Sequence, residues 1–170
     1  PLKFRIFTKH HLYPIHLATA GAAMQFEGLV QLNAPREKVW EFLKDPHAVS
    51  QCAPGMKSVE IIIPEKQFRV LAGVSFGSVQ VAFDTDVELV ELDPPNHSKI
   101  KAHGKAPGSA VDINGDMYLS DNPQGGTELK WRADVIVLGT IASLASRLMG
   151  GVTRKLSDAF FNCLKTKIEA

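Results

Sequence analysis

Residues 79–92 read VQVAFDTDVELVEL. Successive side chains of a strand point to opposite faces. Val79, Val81, Phe83, Val87 and Leu89 therefore share one side, while Asp84, Asp86 and Glu88 share the other. A long strand with one oily and one charged side belongs to an antiparallel sheet with one face on a core and one in water. The pattern repeats three times downstream. Ile100, Ala102 and Gly104 oppose Lys99, Lys101, His103 and Lys105. Val111, Ile113, Gly115, Met117 and Leu119 oppose Asp112, Asn114, Asp116 and Tyr118. Leu129, Trp131, Ala133, Val135 and Val137 oppose Glu128, Lys130, Arg132 and Asp134. The polar sides run acidic, basic, acidic, then mainly basic. A meander sets opposite charges together at each boundary, each pair contributing about 0.2–1 kcal/mol. These charges read as a solvated outer face.

Working outward, Asp93-Pro94-Pro95-Asn96 and Gly125-Gly126 are turn signals between strands. Upstream, Phe68, Val70, Ala72, Val74 and Phe76 alternate with polar neighbours, and 59–63 is a short β-branched strand. Residues 25–33 alternate as a first strand. Pro35 suits the first position of a helix, on which Val39, Trp40, Phe42 and Leu43 form an apolar stripe. Asp45-Pro46 starts a second short helix that ends at Pro54-Gly55. From Thr140 to Ile168 the period changes. Ile141, Leu144, Leu148, Val152, Leu156, Phe160 and Cys163 recur at threes and fours, predicting one long amphipathic helix. Gly150-Gly151 falls inside it, where close packing or a bend is expected.

Only that helix is long enough to cover the apolar side of the sheet. The fold class is thus α+β: a curved seven-stranded antiparallel sheet around a long C-terminal helix, with two short helices after the first strand. Several inward positions are small, among them Ala72, Ala102, Gly104, Gly115 and Ala133. They would leave a void between sheet and helix, and an apolar void suits an apolar guest. The alternative is that Phe76, Phe83, Trp131, Met149 and Phe160 fill the space; the residues leave both open. If the middle is hollow, its expected wall is Trp40, Phe42, Val70, Ala72, Val74, Phe83, Ala102, Ile113, Met117, Trp131, Ala133, Leu148, Met149 and Val152. Its mouth is expected near Pro54-Gly55 and Gly150-Gly151.

The 170 residues, 45% hydrophobic and 22% charged, suffice for one domain with a substantial core. No apolar run reaches the roughly 18 residues a spanning helix needs. The net charge of +1 hides an asymmetry. Residues 1–23 carry Lys3, Arg5 and Lys9 and no acid, so the remainder is mildly acidic. That argues against nucleic acid as a partner. Arg147, Arg154, Lys155, Lys165 and Lys167 lie on the last helix, as its solvated side or as a patch for anionic lipid or a partner protein. Cys52 and Cys163 are too few for a disulfide framework and lie outside any zinc spacing, so they are expected as two partly buried thiols in a reducing cytoplasm. Residues 1–23, broken by Pro14 and His16, read as an extension outside the core fold, with Met24 as the natural start and 24–170 as the binding domain. His10, His11 and His16 sit there without an anchoring framework.

An enzyme needs polar groups aimed into a sheltered site. On the inward faces of strands 68–137 only Thr85 and Ser98 qualify, and neither an acid, a base nor a histidine points inward. Asp45 and His47 are expected to cap or to face solvent. Asp112, Asn114 and Asp116 resemble part of a calcium loop, but the sixth and twelfth positions are Met117 and Pro123 instead of the required Gly and Glu. Catalytic residues, metal ligands and cofactors are therefore not expected.

Taken in order, FEGLVQLNAPREKVWEFLKDP at 26–46, QCAPGMKSVE at 51–60, the DPP turn at Asp93–Pro95, GGTELKW at 125–131 and GGVTRKLSDAFFNCL at 150–164 resemble the G-subunit family of carbon monoxide dehydrogenase. That family lies within the START-like superfamily of polyketide cyclases and lipid-transport proteins, whose architecture is the helix-grip fold. The resemblance spans residues 24–168. It implies a hydrophobic cavity for a quinone- or lipid-like molecule and no enzyme activity of the chain's own. It implies association with a molybdenum hydroxylase such as carbon monoxide dehydrogenase, as carrier or as ligand-free assembly factor. It implies a cytoplasmic place, with peripheral contact on the cytoplasmic side of a membrane as an option.

Overall fold

The computed structural model of the chain describes the backbone of residues 3–7 and residues 21–170 in full. The strands are β1 (Lys3–Phe7), β2 (Gly21–Leu32), β3 (Met56–Ile63), β4 (Gln67–Phe76), β5 (Val79–Asp93), β6 (His97–Ala106), β7 (Ser109–Asp121) and β8 (Thr127–Gly139). Two short helices, α1 (Arg36–Leu43) and α2 (Pro46–Cys52), follow β2, and α3 (Ala142–Ile168) ends the fold. All described strands form one sheet in the order β1-β2-β8-β7-β6-β5-β4-β3, and every neighbouring pair is antiparallel. Strands β2 to β8 are the seven that the sequence predicts. The eighth, β1, comes from the N-terminal segment and pairs along β2, with Lys3 opposite Leu29 and Phe7 opposite Gln25. Strand β2 begins at Gly21, three residues before Met24. His10, His11 and His16 lie outside the described residues.

The charge alternation sets the register as expected. Across β5 and β6, Asp84 faces Lys105, Asp86 faces His103 and Glu88 faces Lys101. Across β6 and β7, Lys99 faces Asp116 and His103 faces Asp112; across β7 and β8, Asp116 faces Arg132. Several pairs are in contact. His103 Nδ1 lies 2.5 Å from Asp112 Oδ1, and His97 Nε2 lies 2.9 Å from Asp116 Oδ1. Arg69 grips Asp84 with two donors, at 2.7 and 2.5 Å. This hydrogen-bonded guanidinium holds the Asp84 carboxyl below the usual aspartate range. Asp112 and Asp116 thus serve as partners of histidines on the outer face.

The helix entries follow from local chemistry. Asp45 Oδ1 accepts from the backbone N–H of His47 at 2.9 Å and caps α2, whose first residue is Pro46. Pro35 is the residue before α1 and not its first turn; its extended ψ of 150° ends the approach from β2. The fully buried Thr127 donates its hydroxyl to the carbonyl of Ala34 at 2.7 Å, fastening the start of β8 to the loop entering α1.

The sheet and α3 close on each other through two separate cores. One holds Val30, Leu32, Val39, Trp40, Leu119 and Leu129 against Phe161, Leu164 and Ile168 of the C-terminal half of α3. The other holds Phe26, Phe76, Phe83, Val111, Val135 and Val137 against Ile141 and Ala145 at its start. Between them, Leu148, Met149, Val152, Leu156 and Phe160 are only half-buried. The predicted helical stripe is therefore buried at its ends and half-buried in the middle.

Three expectations are corrected. Cys52 and Cys163 are not free thiols; they form a disulfide, with their Cα atoms 5.4 Å apart. The partners are 111 residues apart, so no local spacing announces them. The fold brings the last residue of α2 onto the flank of α3, where Lys167 Nζ also donates to Gln51 Oε1 at 2.9 Å. Second, α3 continues through Gly150-Gly151 without interruption, and a Cβ added at Gly151 would meet open space, so close packing does not explain that glycine. Third, the small inward residues contribute unequally to the hollow. Gly115 and Ala133 line it, whereas Val111 and Thr85 take the space over Gly104 and the Trp131 indole covers Gly28.

Candidate functional site

Two chambers occupy the half-buried middle. The outer one, about 400 Å³, lies between α3 and strands β4, β5, β7 and β8. Its wall includes Val74, Phe83, Val111, Val135 and Val137 from the sheet, and Met149, Val152, Leu156 and Phe160 from the helix. The inner one, about 320 Å³, is roofed by Leu43, Pro46 and Val49 and floored by Val70, Leu89, Ile100 and Met117. Ile113, Trp131, Ala133 and Phe160 belong to both walls, so the two chambers adjoin at these four side chains. Such volumes and apolar walls fall in the range of small-molecule sites.

Of the wall expected from the sequence, Val74, Phe83, Met149 and Val152 line the outer chamber. Val70 and Met117 line the inner one, and Ile113, Trp131 and Ala133 line both. The other five lie elsewhere. Trp40 is 6% exposed within the C-terminal core, and Phe42 packs against that core, because α1 closes the end of the sheet and not its middle. Leu148 packs against the other core, one helical position off the cavity. Ala72 is half-buried beside Met56 and Phe83 and falls outside both walls. Ala102 borders a groove on the charged outer face. Sequence reasoning missed Leu43 and Val49, whose role depends on how α2 folds over the sheet. It also missed Leu156, which the helical stripe itself contained.

Ala53 and Pro54 and the α3 residues Thr153 and Ser157 also line the outer chamber. The disulfide from Cys52 to Cys163 ties α2 to α3. Polar groups are sparse. Thr153 and Ser157 sit half-exposed on α3, and Ser98 is buried in the inner wall. Lys44 lies at the inner rim, where its hydrogen bond to Glu41 raises its ammonium above the ordinary lysine range. Asp116 borders the inner chamber with its carboxylate engaged by His97. Arg132, at the same border, has its guanidinium 3.8 Å from Asp134. Among the described residues, no cluster of three or more His, Cys, Asp or Glu could hold a metal ion.

The profile of the carbon monoxide dehydrogenase G-subunit (CoxG) matches residues 28–169. The chain belongs to the CoxG family. Membership accounts for the order of motifs from the first strand to the end of α3. No protein of curated function matches the chain. Among solved structures, a conserved protein from Geobacillus kaustophilus is 28% identical with a TM-score of 0.78, covering 85% of this chain and 95% of its own. The Zhui aromatase/cyclase from Streptomyces sp. R1128 is 19% identical with a TM-score of 0.68, covering 86% and 94%. A START superfamily protein from Mycobacterium smegmatis is 16% identical with a TM-score of 0.63, covering 85% and 97%. The last two share the fold alone, and they place this CoxG family member within the START-like helix-grip architecture. Family and fold together indicate a ligand-binding or accessory protein.

Proposed function

We propose that this CoxG family member binds and carries a lipophilic small molecule, quinone- or lipid-like, in the adjoining chambers between sheet and α3. The observation that carries this reading is the apolar-walled space between the sheet and the half-buried stretch of α3. A chain that needed only a scaffold would gain stability by filling that space, since packing and burial are the main favourable terms of folding. The mostly apolar wall offers dispersion and burial, which suits retention of a guest and not bond making. The binding unit is residues 24–170, with β1 as an added edge strand.

A second reading rests on the family itself: an accessory or assembly protein for a molybdenum hydroxylase such as carbon monoxide dehydrogenase. In that case the basic residues of α3, of which Arg147, Lys155 and Lys167 are exposed, would face the partner or an anionic membrane surface on the cytoplasmic side. No helix among the described residues is long and apolar enough to cross a membrane. Native mass spectrometry of the gently purified protein separates the two readings. The carrier reading expects an adduct mass that denaturation releases. It also expects a melting temperature that rises by about 5–10 °C with a short-chain quinone at a hundredfold excess over its Kd. Co-purification with a hydroxylase, no adduct and no thermal shift would favour the second.

A further inference from the structure

Ser98 is the one polar side chain among the described residues that is nine-tenths buried and lines a chamber. It sits on β6, paired with Met117 of β7 and Leu92 of β5, and shares the inner wall with Phe68, Val70, Leu89 and Ile100. Its Oγ keeps some accessible surface and is not among the fully buried polar atoms without a partner. Strand alternation puts it on the oily side of the sheet, where alanine or valine would satisfy packing at no polar cost. A hydroxyl left unpaired in an apolar wall is costly, whereas a group that completes its bond recovers that cost. Thr153 and Ser157 differ. They stand half-exposed on α3, within reach of bulk water, and need no guest.

We propose that Ser98 is the specificity anchor of the inner chamber. The guest carries one hydroxyl or carbonyl oxygen hydrogen-bonded to Ser98 Oγ, and its apolar body passes Trp131 and Phe160 into the outer chamber. This rests on the carrier reading of the cavity and adds the polarity and direction of the guest. A serine hydroxyl both donates and accepts, so alcohols, phenols and ketones qualify while plain hydrocarbons lack the bond. The polar end then sits beside Ser98 and the hydrophobic end lies toward Pro54 and Ser157 in the outer chamber.

The test uses the full chain and two probes, 2-naphthol and naphthalene, titrated by intrinsic fluorescence. Ser98→Ala is expected to weaken 2-naphthol about fivefold to tenfold and to leave naphthalene unchanged or slightly tighter. Ser98→Thr, which keeps the hydroxyl on a β-branched strand residue, is expected to preserve the wild-type preference. If both probes bind and Ser98→Ala changes neither, or weakens both equally, the anchor is refuted while the cavity stands. If neither probe binds the wild type, the cavity reading fails and the anchor with it.

Discussion

Two leucines of α3 offer the same substitution in two environments. Leu164 is 0% exposed within the C-terminal core. Leu156, two turns earlier, is half-buried and faces the outer chamber. Leu→Ala removes three carbon atoms, worth about 0.8 kcal/mol each when fully buried. At Leu164 that transfer loss is joined by a new cavity that rigid neighbours cannot close, for a total of about 3–5 kcal/mol. At Leu156 about half the transfer loss applies and no cavity is created, because one is already there; the expected cost is about 1 kcal/mol. The two variants should differ by at least about 2 kcal/mol, seen as about 4–8 °C in melting temperature for a domain of this size. Differential scanning calorimetry and urea unfolding with the disulfide kept oxidised would measure both. Equal costs would mean that the middle of α3 is as solidly packed as its end, and the hollow would be refuted.

Three further outcomes follow from particular contacts. Removing the disulfide with Cys52→Ser/Cys163→Ser should lower stability by up to about 5 kcal/mol, the chain-entropy value for a 111-residue closure; iodoacetamide should label neither cysteine of unfolded wild type until a reductant is added, and ready labelling without one would overturn the bond. Arg69→Ala should return the Asp84 carboxyl upward to the ordinary aspartate range, read by carboxyl NMR titration. Because the folded-state value is depressed, the pair's contribution is present at neutral pH and is lost as pH falls through the Asp84 titration, so the variant should be less sensitive to acid in that window. Gly28→Ala should push the Trp131 indole from its place over β2, costing about 1–3 kcal/mol and changing tryptophan fluorescence, whereas the same change at Gly151 should be neutral or stabilising.

Much of this architecture can be read from periodicity. Strands 79–138 carry period-two patterns strong enough to fix face, register and the charge pairs Asp84–Lys105 and Asp116–Arg132. What the pattern cannot carry is placement in the third dimension. The parity of Ala102 and Ala72 puts them on the oily side, yet which inward residues meet a void depends on how far α3 stands from each strand. Leu148 and Leu156 belong to one stripe, but only Leu156 lines the outer chamber. The disulfide is invisible in the sequence for a related reason: its partners meet only after the whole sheet has folded between them. Trp40 shows the converse: its apolar character is read correctly, but it joins the C-terminal core and borders a separate cavity with Leu89 and Leu92 instead of the two chambers.

The carrier role depends on apolar space on both sides of Ile113, Trp131, Ala133 and Phe160, which line both chambers. Crystals pressurised with xenon would probe it directly, since xenon enters dry apolar cavities without needing any polar contact. Strong xenon density beside Ala133 and Phe160 is the expected result. Absence of xenon, with Trp131 and Met149 turned inward to fill the gap, would contradict it.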